Sequence, residues 1–302
     1  MRRETEESCV PKEATLIRIH AIETGKVAVK TRQREGVGAG NRRFINMLLD
    51  KEWTEPLPIY CWLIEHSDGL VLVDTGETAR AAEKGYFPGW HPYYRRGLRE
   101  WVQEDEEVGP QLRRLGVSPS DVTWVVLTHL HTDHAGGLEH FPTSEIFVAR
   151  AEAEAAAGVM GRTRGYLNNR WPRWFSPTHV DFDHDPLGPF PHTAPLMDDG
   201  SIVLVSTPGH SPGHLSVVVE TEGEAFFLAG DASYTEALMR SGSVDGVSRD
   251  ERAARTTLRQ IKNYLDDTGA IYLPSHDPDS SARLAAAQPA PDVRGNTVRV
   301  AR

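Results

Sequence analysis

Residues 128–137 read Thr-His-Leu-His-Thr-Asp-His-Ala-Gly-Gly and directly follow an apolar run at residues 122–127. The run is rich in β-branched residues and predicts a buried strand that ends where the polar segment begins. Side chains at positions i and i+2 of an extended chain point to the same side. His129 and His131 are therefore predicted to face one common point at the end of this strand.

Asp133 and His134 lie in the same segment, beyond the turn that ends the strand, and can face a second point. With His129 and His131 they offer three imidazoles and a carboxylate. These ligand types suit zinc, whereas Ca²⁺ and Mg²⁺ prefer more oxygen ligands. Because burying such groups without an ion is costly, the segment predicts a metal site.

Three more candidate ligands each follow a further predicted apolar strand, at residues 202–206, 225–228 and 270–274. Loops at strand ends are where α/β folds usually build their sites. The three candidates are His210 in TPGHSPGH, Asp231 in LAGDASY and His276 in LPSHD. Together the candidates exceed what one tetrahedral zinc can use and suit two ions that share a carboxylate.

The segment THLHTDHAGG resembles the H-x-H-x-D-H signature of the metallo-β-lactamase fold. Three other stretches resemble the N-acyl homoserine lactonases, which degrade quorum-sensing signals: LPIYCWLIEHSDGLVLVDTG at residues 57–76, TPGHSPGH at residues 207–214 and DASYT at residues 231–235. Related lactone hydrolases such as pyridoxolactonase share much of DASYT. The resemblance covers residues 57–276 and implies a single α/β domain, an αββα sandwich with a dinuclear zinc centre between its sheet edges.

The resemblance also implies a role for each candidate ligand. One zinc ion would be held by His129, His131 and His210. The other would be held by Asp133, His134 and His276, and Asp231 would bridge the two ions. Tyr234, three residues after the bridging aspartate, would be a catalytic residue together with Asp133.

In the implied reaction, a hydroxide that bridges the two zinc ions attacks the carbonyl of an N-acyl homoserine lactone and opens its ring. Tyr234 and one zinc ion stabilise the carbonyl oxygen as it gains negative charge. Asp133 takes the proton and passes it to the leaving alkoxide. The predicted enzyme is thus a metal-dependent hydrolase of a carboxylic ester bond, a quorum-quenching lactonase.

Alternatives stay open on the sequence. The substrate could be another lactone or an ester, as for pyridoxolactonase, or the chain could be a metal-binding protein of the same fold without catalysis. Mn, Fe or Co could occupy the same cage in place of zinc. Soluble enzymes are most often homodimers, so a homodimer is also open.

Large apolar side chains in the less regular segments are candidates for a pocket that binds the acyl chain of the substrate. They fit a dimer contact or a cover over the core equally well. They are Phe44, Met47, Phe87, Trp90, Trp171, Trp174 and Phe175. A second His/Asp cluster, HVDFDHD at residues 179–185, is interpreted as a solvated acidic loop, and Asp74 and His214 as candidates for orienting the ligands.

The 302 residues carry 33 basic and 43 acidic side chains, a formal charge of −10. A chain this acidic is not expected to have the basic surface that binding a nucleic acid requires. No apolar run approaches the roughly 18 residues of a membrane span, and the first residues lack the pattern of a secretory signal. Two cysteines, Cys9 and Cys61, cannot form a disulfide framework. We expect a cytoplasmic enzyme that acts on a small-molecule lactone, without a membrane or nucleic-acid partner.

The predicted hydrolase domain covers residues 1–276, and residues 277–302 form a tail. The domain includes an N-terminal extension and an aromatic insertion at residues 158–198, for which neither a helical nor a strand period is visible. Residues 24–56 are expected to form a long loop with one helical turn around residues 44–49.

Two helices are predicted from their ends. One spans residues 105–115 and follows a run of acidic residues, which favour a helix N-terminus. The other starts near residue 249, where Ser248 and Glu251 have the spacing of a capping box.

Overall fold

The structure, a computed structural model, describes residues 17–288. Cys9 and the outer ends of the predicted domain and tail, residues 1–16 and 289–302, lie outside the described residues. Seven strands form the first sheet in the order β4-β1-β2-β3-β5-β6-β7. They are β1 (Arg18–Val29), β2 (Leu57–His66), β3 (Gly69–Val73), β4 (Leu98–Trp101), β5 (Val122–Val126), β6 (Glu145–Ala149) and β7 (Thr178–Val180).

The second sheet has five strands in the order β12-β11-β10-β9-β8. They are β8 (Thr193–Pro195), β9 (Ile202–Ser206), β10 (Leu215–Glu220), β11 (Ala225–Gly230) and β12 (Ile271–Pro274). The α-helices are α1 (Thr31–Glu35), α2 (Asn41–Leu49), α3 (Pro92–Arg96), α4 (Val108–Arg114), α5 (Thr132–Ala135), α6 (Arg150–Ala156), α7 (Gly158–Thr163), α8 (Glu236–Ser241), α9 (Glu251–Thr268) and α10 (Ser280–Ala287). None of these helices combines the length and the apolar composition needed to cross a bilayer.

The two sheets pack face to face, and helices cover their outer faces. Strand β2 is buried on both faces. Its alternate residues point to opposite faces of the sheet and pack in different layers of the sandwich. Trp62 and Ile64 pack against the second sheet. Cys61 and Leu63 pack with residues of α4 and α6 on the other face. On the outer face of the second sheet, α9 packs its apolar side, which includes Leu258 and Ile261. The predicted αββα sandwich is confirmed.

Strand direction brings the predicted site loops to one edge. In the first sheet β3, β5 and β6 are parallel, and in the second sheet β9, β11 and β12 run in one direction. The carboxyl ends of parallel strands meet at the same edge of a sheet. Backbone hydrogen bonds join the sheets there, from Leu215 N–H to the Thr128 carbonyl and from Tyr60 N–H to the Ser275 carbonyl, both 2.9 Å.

The prediction of a loop over residues 24–56 is wrong. β1 continues to Val29 and pairs with both β2 and β4. A register shift between Glu23 and Lys26, with Gly25 at φ +101°, interrupts the strand alternation, so the sequence pattern does not continue through this bulge. Two helices, α1 and α2, follow where one helical turn was expected.

The other helix predictions need smaller corrections. The predicted helix 105–115 is shorter, since α4 covers Val108–Arg114. The capping box at Ser248 and Glu251 is wrong, because the side chain of Asp250 caps α9 by accepting from Ala253 N–H. The Ser248 hydroxyl instead donates to Asp245. The insertion at residues 158–198 contains α7, β7 and β8.

Candidate metal centre

The loops after β5 and β9 bring three imidazoles to one point. Nδ1 of His131 lies 3.0 Å from Nε2 of His129 and 3.0 Å from Nε2 of His210. Burial lowers the pKa of His129, and the neighbouring imidazoles lower it further. Burial and the neighbouring His210 also lower the pKa of His131, to about 3. His129 and His131 are therefore neutral, which is the form that binds a metal ion.

A second group forms beside the first. Nε2 of His276 lies 3.3 Å from a carboxylate oxygen of Asp133, and Nε2 of His134 lies 3.9 Å from the other oxygen. Asp231 stands between the groups. Its Oδ1 is 3.3 Å from both His134 and His276, and its Oδ2 is 3.5 Å from Nε2 of His210. One carboxylate thus faces both groups with different oxygens.

The donor atoms fit divalent cations. Nε2 of His134 and Oδ1 of Asp231 are buried. Although they lie 3.3 Å apart, neither makes a hydrogen bond of suitable geometry to any of the described residues. Burial opposes the charged form of His276, but Asp231 and Asp133 raise its pKa to about 10, which shows how negative this point is. A buried polar atom without a partner is costly. Cations at the two points would satisfy these atoms with the nitrogen and oxygen donors that zinc prefers.

The ring nitrogens that face away from the two points are held by other groups. Nδ1 of His134 is 2.7 Å from Asp74, and Nδ1 of His210 is 3.1 Å from Asp245. Nδ1 of His276 donates to the Pro58 carbonyl at 2.8 Å. Such partners fix the orientation and tautomer of a ligating imidazole. The sequence suggested Asp74 for this role and missed Asp245, which is distant in sequence and carries no motif.

Asp74 and His214 both contact candidate ligands. Asp74 has φ +61° and also accepts hydrogen bonds from the backbone N–H and hydroxyl of Thr128. Nε2 of His214 accepts from the backbone N–H of Asp231 at 3.0 Å, and burial lowers the pKa of His214 to about 3. A neutral His214 therefore orients the loop that carries Asp231.

Glu152 is a second residue that the sequence analysis missed. It is fully buried on α6 and accepts from Leu130 N–H at 3.1 Å, the Ser211 hydroxyl at 2.6 Å and Gly213 N–H at 3.0 Å. One carboxylate thus ties the loop between His129 and His131 to the loop that follows His210. In the sequence AEAEAAA it looks like an ordinary solvent-exposed helix residue.

A cavity of about 460 Å³ opens onto the two groups and is lined by five of the candidate ligands. These are His131, Asp133, His210, Asp231 and His276. Tyr234 lines the same cavity, is 6% exposed and stacks on His276 with ring centroids 5.7 Å apart. Burial raises the pKa of its hydroxyl, which therefore keeps its proton. The structure thus places Tyr234 beside the candidate ligand His276.

Of the apolar side chains suggested for the acyl pocket, Trp90 and Phe44 line this cavity. The other five do not, and they pack elsewhere. Met47 is fully buried, Phe87 stacks on Tyr94, and Trp171 packs edge-on against Phe175 beside the helices on the first sheet. Trp174 is 40% exposed. An apolar residue in an irregular segment does not reveal which layer it covers, so sequence alone could not separate these roles.

The second His/Asp cluster lies on the surface. Asp181 forms an ion pair with Arg150 in which both side chains are about half exposed. His179 is exposed and contacts the same arginine. In the described part of the chain, the groups of His and Asp able to share a metal ion contain none of residues 179–185.

The sequence of this chain is similar to those of a known superfamily. A family model described as the metallo-beta-lactamase superfamily matches residues 54–276. The chain belongs to the metallo-beta-lactamase superfamily. The N-acyl homoserine lactonase AttM of Azorhizobium caulinodans is 29% identical to this chain, over 88% of this chain and 95% of its own length. The probable metallo-hydrolase Rv2300c of Mycobacterium tuberculosis is 34% identical, over 72% of this chain and 70% of its own.

Solved structures of other proteins have the same fold. An N-acyl homoserine lactone hydrolase with N-hexanoyl-L-homoserine bound at its catalytic metal centre superposes with a TM-score of 0.71 and 25% identity, covering 87% of this chain and 94% of that one. The dizinc quorum-quenching lactonase AidC has a TM-score of 0.60 and 15% identity, covering 88% and 90%, and supports the fold alone.

Proposed function

We propose that this chain is a dinuclear zinc lactonase that opens the ring of N-acyl homoserine lactones. The observation that carries the proposal is Asp231, whose two oxygens face two groups of buried ligands beside a cavity that contains Tyr234. His129, His131 and His210 would hold one ion, and Asp133, His134 and His276 the other. The names of the similar lactonases supply the substrate class.

Two divalent cations, when bound at such a pair of points, make water a stronger nucleophile and polarise a carbonyl oxygen. Side chains of the protein stabilise the developing charge and transfer the proton. Tyr234 donates its hydroxyl hydrogen to the lactone carbonyl oxygen as negative charge develops on it. Asp133, whose side chain is 14% exposed toward the cavity, accepts a proton from the attacking water and returns it to the ring oxygen when the C–O bond breaks. The products are a carboxylate and an alcohol within one N-acyl homoserine, and the second proton of the water is released to solvent.

The test uses zinc-loaded protein with N-hexanoyl and N-dodecanoyl homoserine lactone, and follows proton release with a pH-sensitive dye. Ring opening that requires about two zinc ions per chain, measured by elemental analysis, supports the proposal. Turnover of p-nitrophenyl acetate without opening of either lactone contradicts the proposed substrate class and favours another ester hydrolase. Binding of zinc without turnover of any of the three favours a non-catalytic metal-binding protein.

A further inference from the structure

One amide side chain holds two phenols at the wall of the cavity. Gln33 is 1% exposed, and its Nε2 donates to the hydroxyl oxygen of Tyr234 at 2.8 Å and to that of Tyr93 at 3.0 Å. An amide nitrogen carries two hydrogens, so each phenol oxygen receives one. All three side chains line the cavity that contains Asp133 and Asp231.

The direction of these hydrogen bonds decides what the phenols can do. Each hydroxyl accepts from Gln33, and this leaves its own hydrogen uncommitted. Within residues 17–288, neither the Tyr93 nor the Tyr234 hydroxyl donates to another protein group. Both oxygens lie within hydrogen-bond distance of one nitrogen, so they are separated by less than about 6 Å. The cavity wall therefore presents two hydrogen-bond donors close together.

We propose that Tyr93 donates to the carbonyl oxygen of the amide that acylates the lactone, while Tyr234 donates to the lactone carbonyl, and that Gln33 is the positioning residue for both phenols. The inference rests on the proposed function and assigns two further residues to it. In an N-acyl homoserine lactone, a carbonyl carbon, the α-carbon, the nitrogen and a second carbonyl carbon separate the two carbonyl oxygens. Two donors held by one nitrogen match a pair of acceptors at that short spacing.

The arrangement predicts which lactones are preferred. A lactone with an acylamino group pairs both donors, whereas a lactone without one offers no acceptor to the hydroxyl hydrogen of Tyr93. Leaving a buried polar group without a partner costs more than the hydrogen bond itself contributes. A site built to hydrogen-bond a polar group of its substrate accordingly discriminates against analogues that lack it.

The experiment compares two lactones of matched shape. One is N-hexanoyl homoserine lactone, and the other is α-heptyl-γ-butyrolactone, in which methylene groups replace the amide. The ratio of kcat/KM for the two lactones is measured on the same zinc-loaded preparation, so it does not depend on the active fraction. We expect wild type to prefer the amide lactone, and Tyr93→Phe to lower the ratio about 10- to 100-fold, mainly through KM.

Gln33→Glu tests the direction of the hydrogen bonds. A carboxylate of the same shape accepts from both phenols and turns their hydrogens away from the cavity. We expect this variant to lower kcat/KM for both lactones and to lower the ratio as well. Gln103→Glu makes the same change in charge at an exposed position outside the cavity and should leave both values unchanged.

An unchanged ratio in Tyr93→Phe, with both lactones opened, overturns the inference and leaves the proposed function intact. Wild-type values retained by Gln33→Glu show that the amide accepts rather than donates, and overturn it too. Opening of neither lactone by the wild type contradicts the proposed function, and the inference falls with it.

Discussion

His131 presents Nδ1 to the shared point, whereas His129 and His210 present Nε2. Nδ1 of His129 and Nδ1 of His210 each face another side chain, Thr128 and Asp245 respectively. His129 and His131 are two residues apart at a strand end, and the side chain of His129 also has Thr128 as a neighbour, whose hydroxyl is 3.1 Å from Nδ1. The sequence predicts that these imidazoles converge. Which nitrogen each one offers depends on the partner of the other nitrogen.

His131→Ala tests the convergence at the residue scale. Loss of one of three imidazoles at a point should lower zinc content, measured by elemental analysis, and abolish nearly all lactone opening. The matched control is His179→Ala, at the exposed second cluster, which should keep both metal and activity. An equally damaging His179→Ala would show that the second cluster serves the reaction.

Tyr234→Phe removes the donor to the lactone carbonyl while retaining the ring that stacks on His276. We expect a fall in kcat of about 10- to 1,000-fold, the range for losing one donor to a developing oxyanion. Zinc content should not change, because the hydroxyl contacts Gln33 rather than a proposed ligand. An unchanged kcat would assign Tyr234 to packing alone.

Helix α6 contacts the loops of the candidate site through one side chain, that of Glu152. Glu152 accepts from both ligand loops, so the helix fixes the loop after β5 against the loop after β9. Glu152→Gln keeps the shape but places amide hydrogens where N–H and O–H groups now donate. We expect metal affinity to fall about 10- to 100-fold, as for other groups that orient ligands.

Glu154→Gln is the matched control on the same helix, because Glu154 is exposed. Metal affinity is measured by competition with a chromogenic chelator, and the far-ultraviolet circular dichroism of each variant verifies its secondary structure. Equal affinities in the two variants would contradict the positioning role of Glu152.

Some strands and helices were predicted correctly and others were not, for physical reasons. β5 was predicted because its apolar run is uninterrupted and ends where the polar segment THLHTDHAGG begins. The part of β1 that lies beyond residue 23 was predicted as loop because a bulge at Gly25 changes which residues face the core. α2 was reduced to one turn because its first residues, Asn41 and the arginines after it, carry no apolar period.

The candidate ligands come from both sheets, so bound cations would link one sheet to the other. The loop after β5 belongs to the first sheet, and His210, Asp231 and His276 follow strands of the second. Cations held between them would bind the folded chain and not the unfolded one. Each such ion stabilises the fold by about 2.7 kcal/mol at a free concentration of 100 times its dissociation constant.

Removal of metal with a chelator should therefore lower the Tm of the chain, and added zinc should restore it. The shift is measured by calorimetry at constant pH and protein concentration. A Tm that is the same before and after chelation, in protein shown by elemental analysis to lose its metal, would contradict a site that links the sheets.

A metal site at residues 129–134 could be predicted from the sequence alone, since the spacing His-x-His-x-Asp-His depends only on a strand end and the turn that follows. The layered αββα fold was implied by the resemblance of its motifs to the metallo-β-lactamase fold, and the two sheets confirm it. The tertiary structure decided the relations between distant segments. Asp245 behind His210, Glu152 between two loops and Gln33 between two phenols are polar contacts with no period in sequence, and only the packing of sheets and helices brings them together.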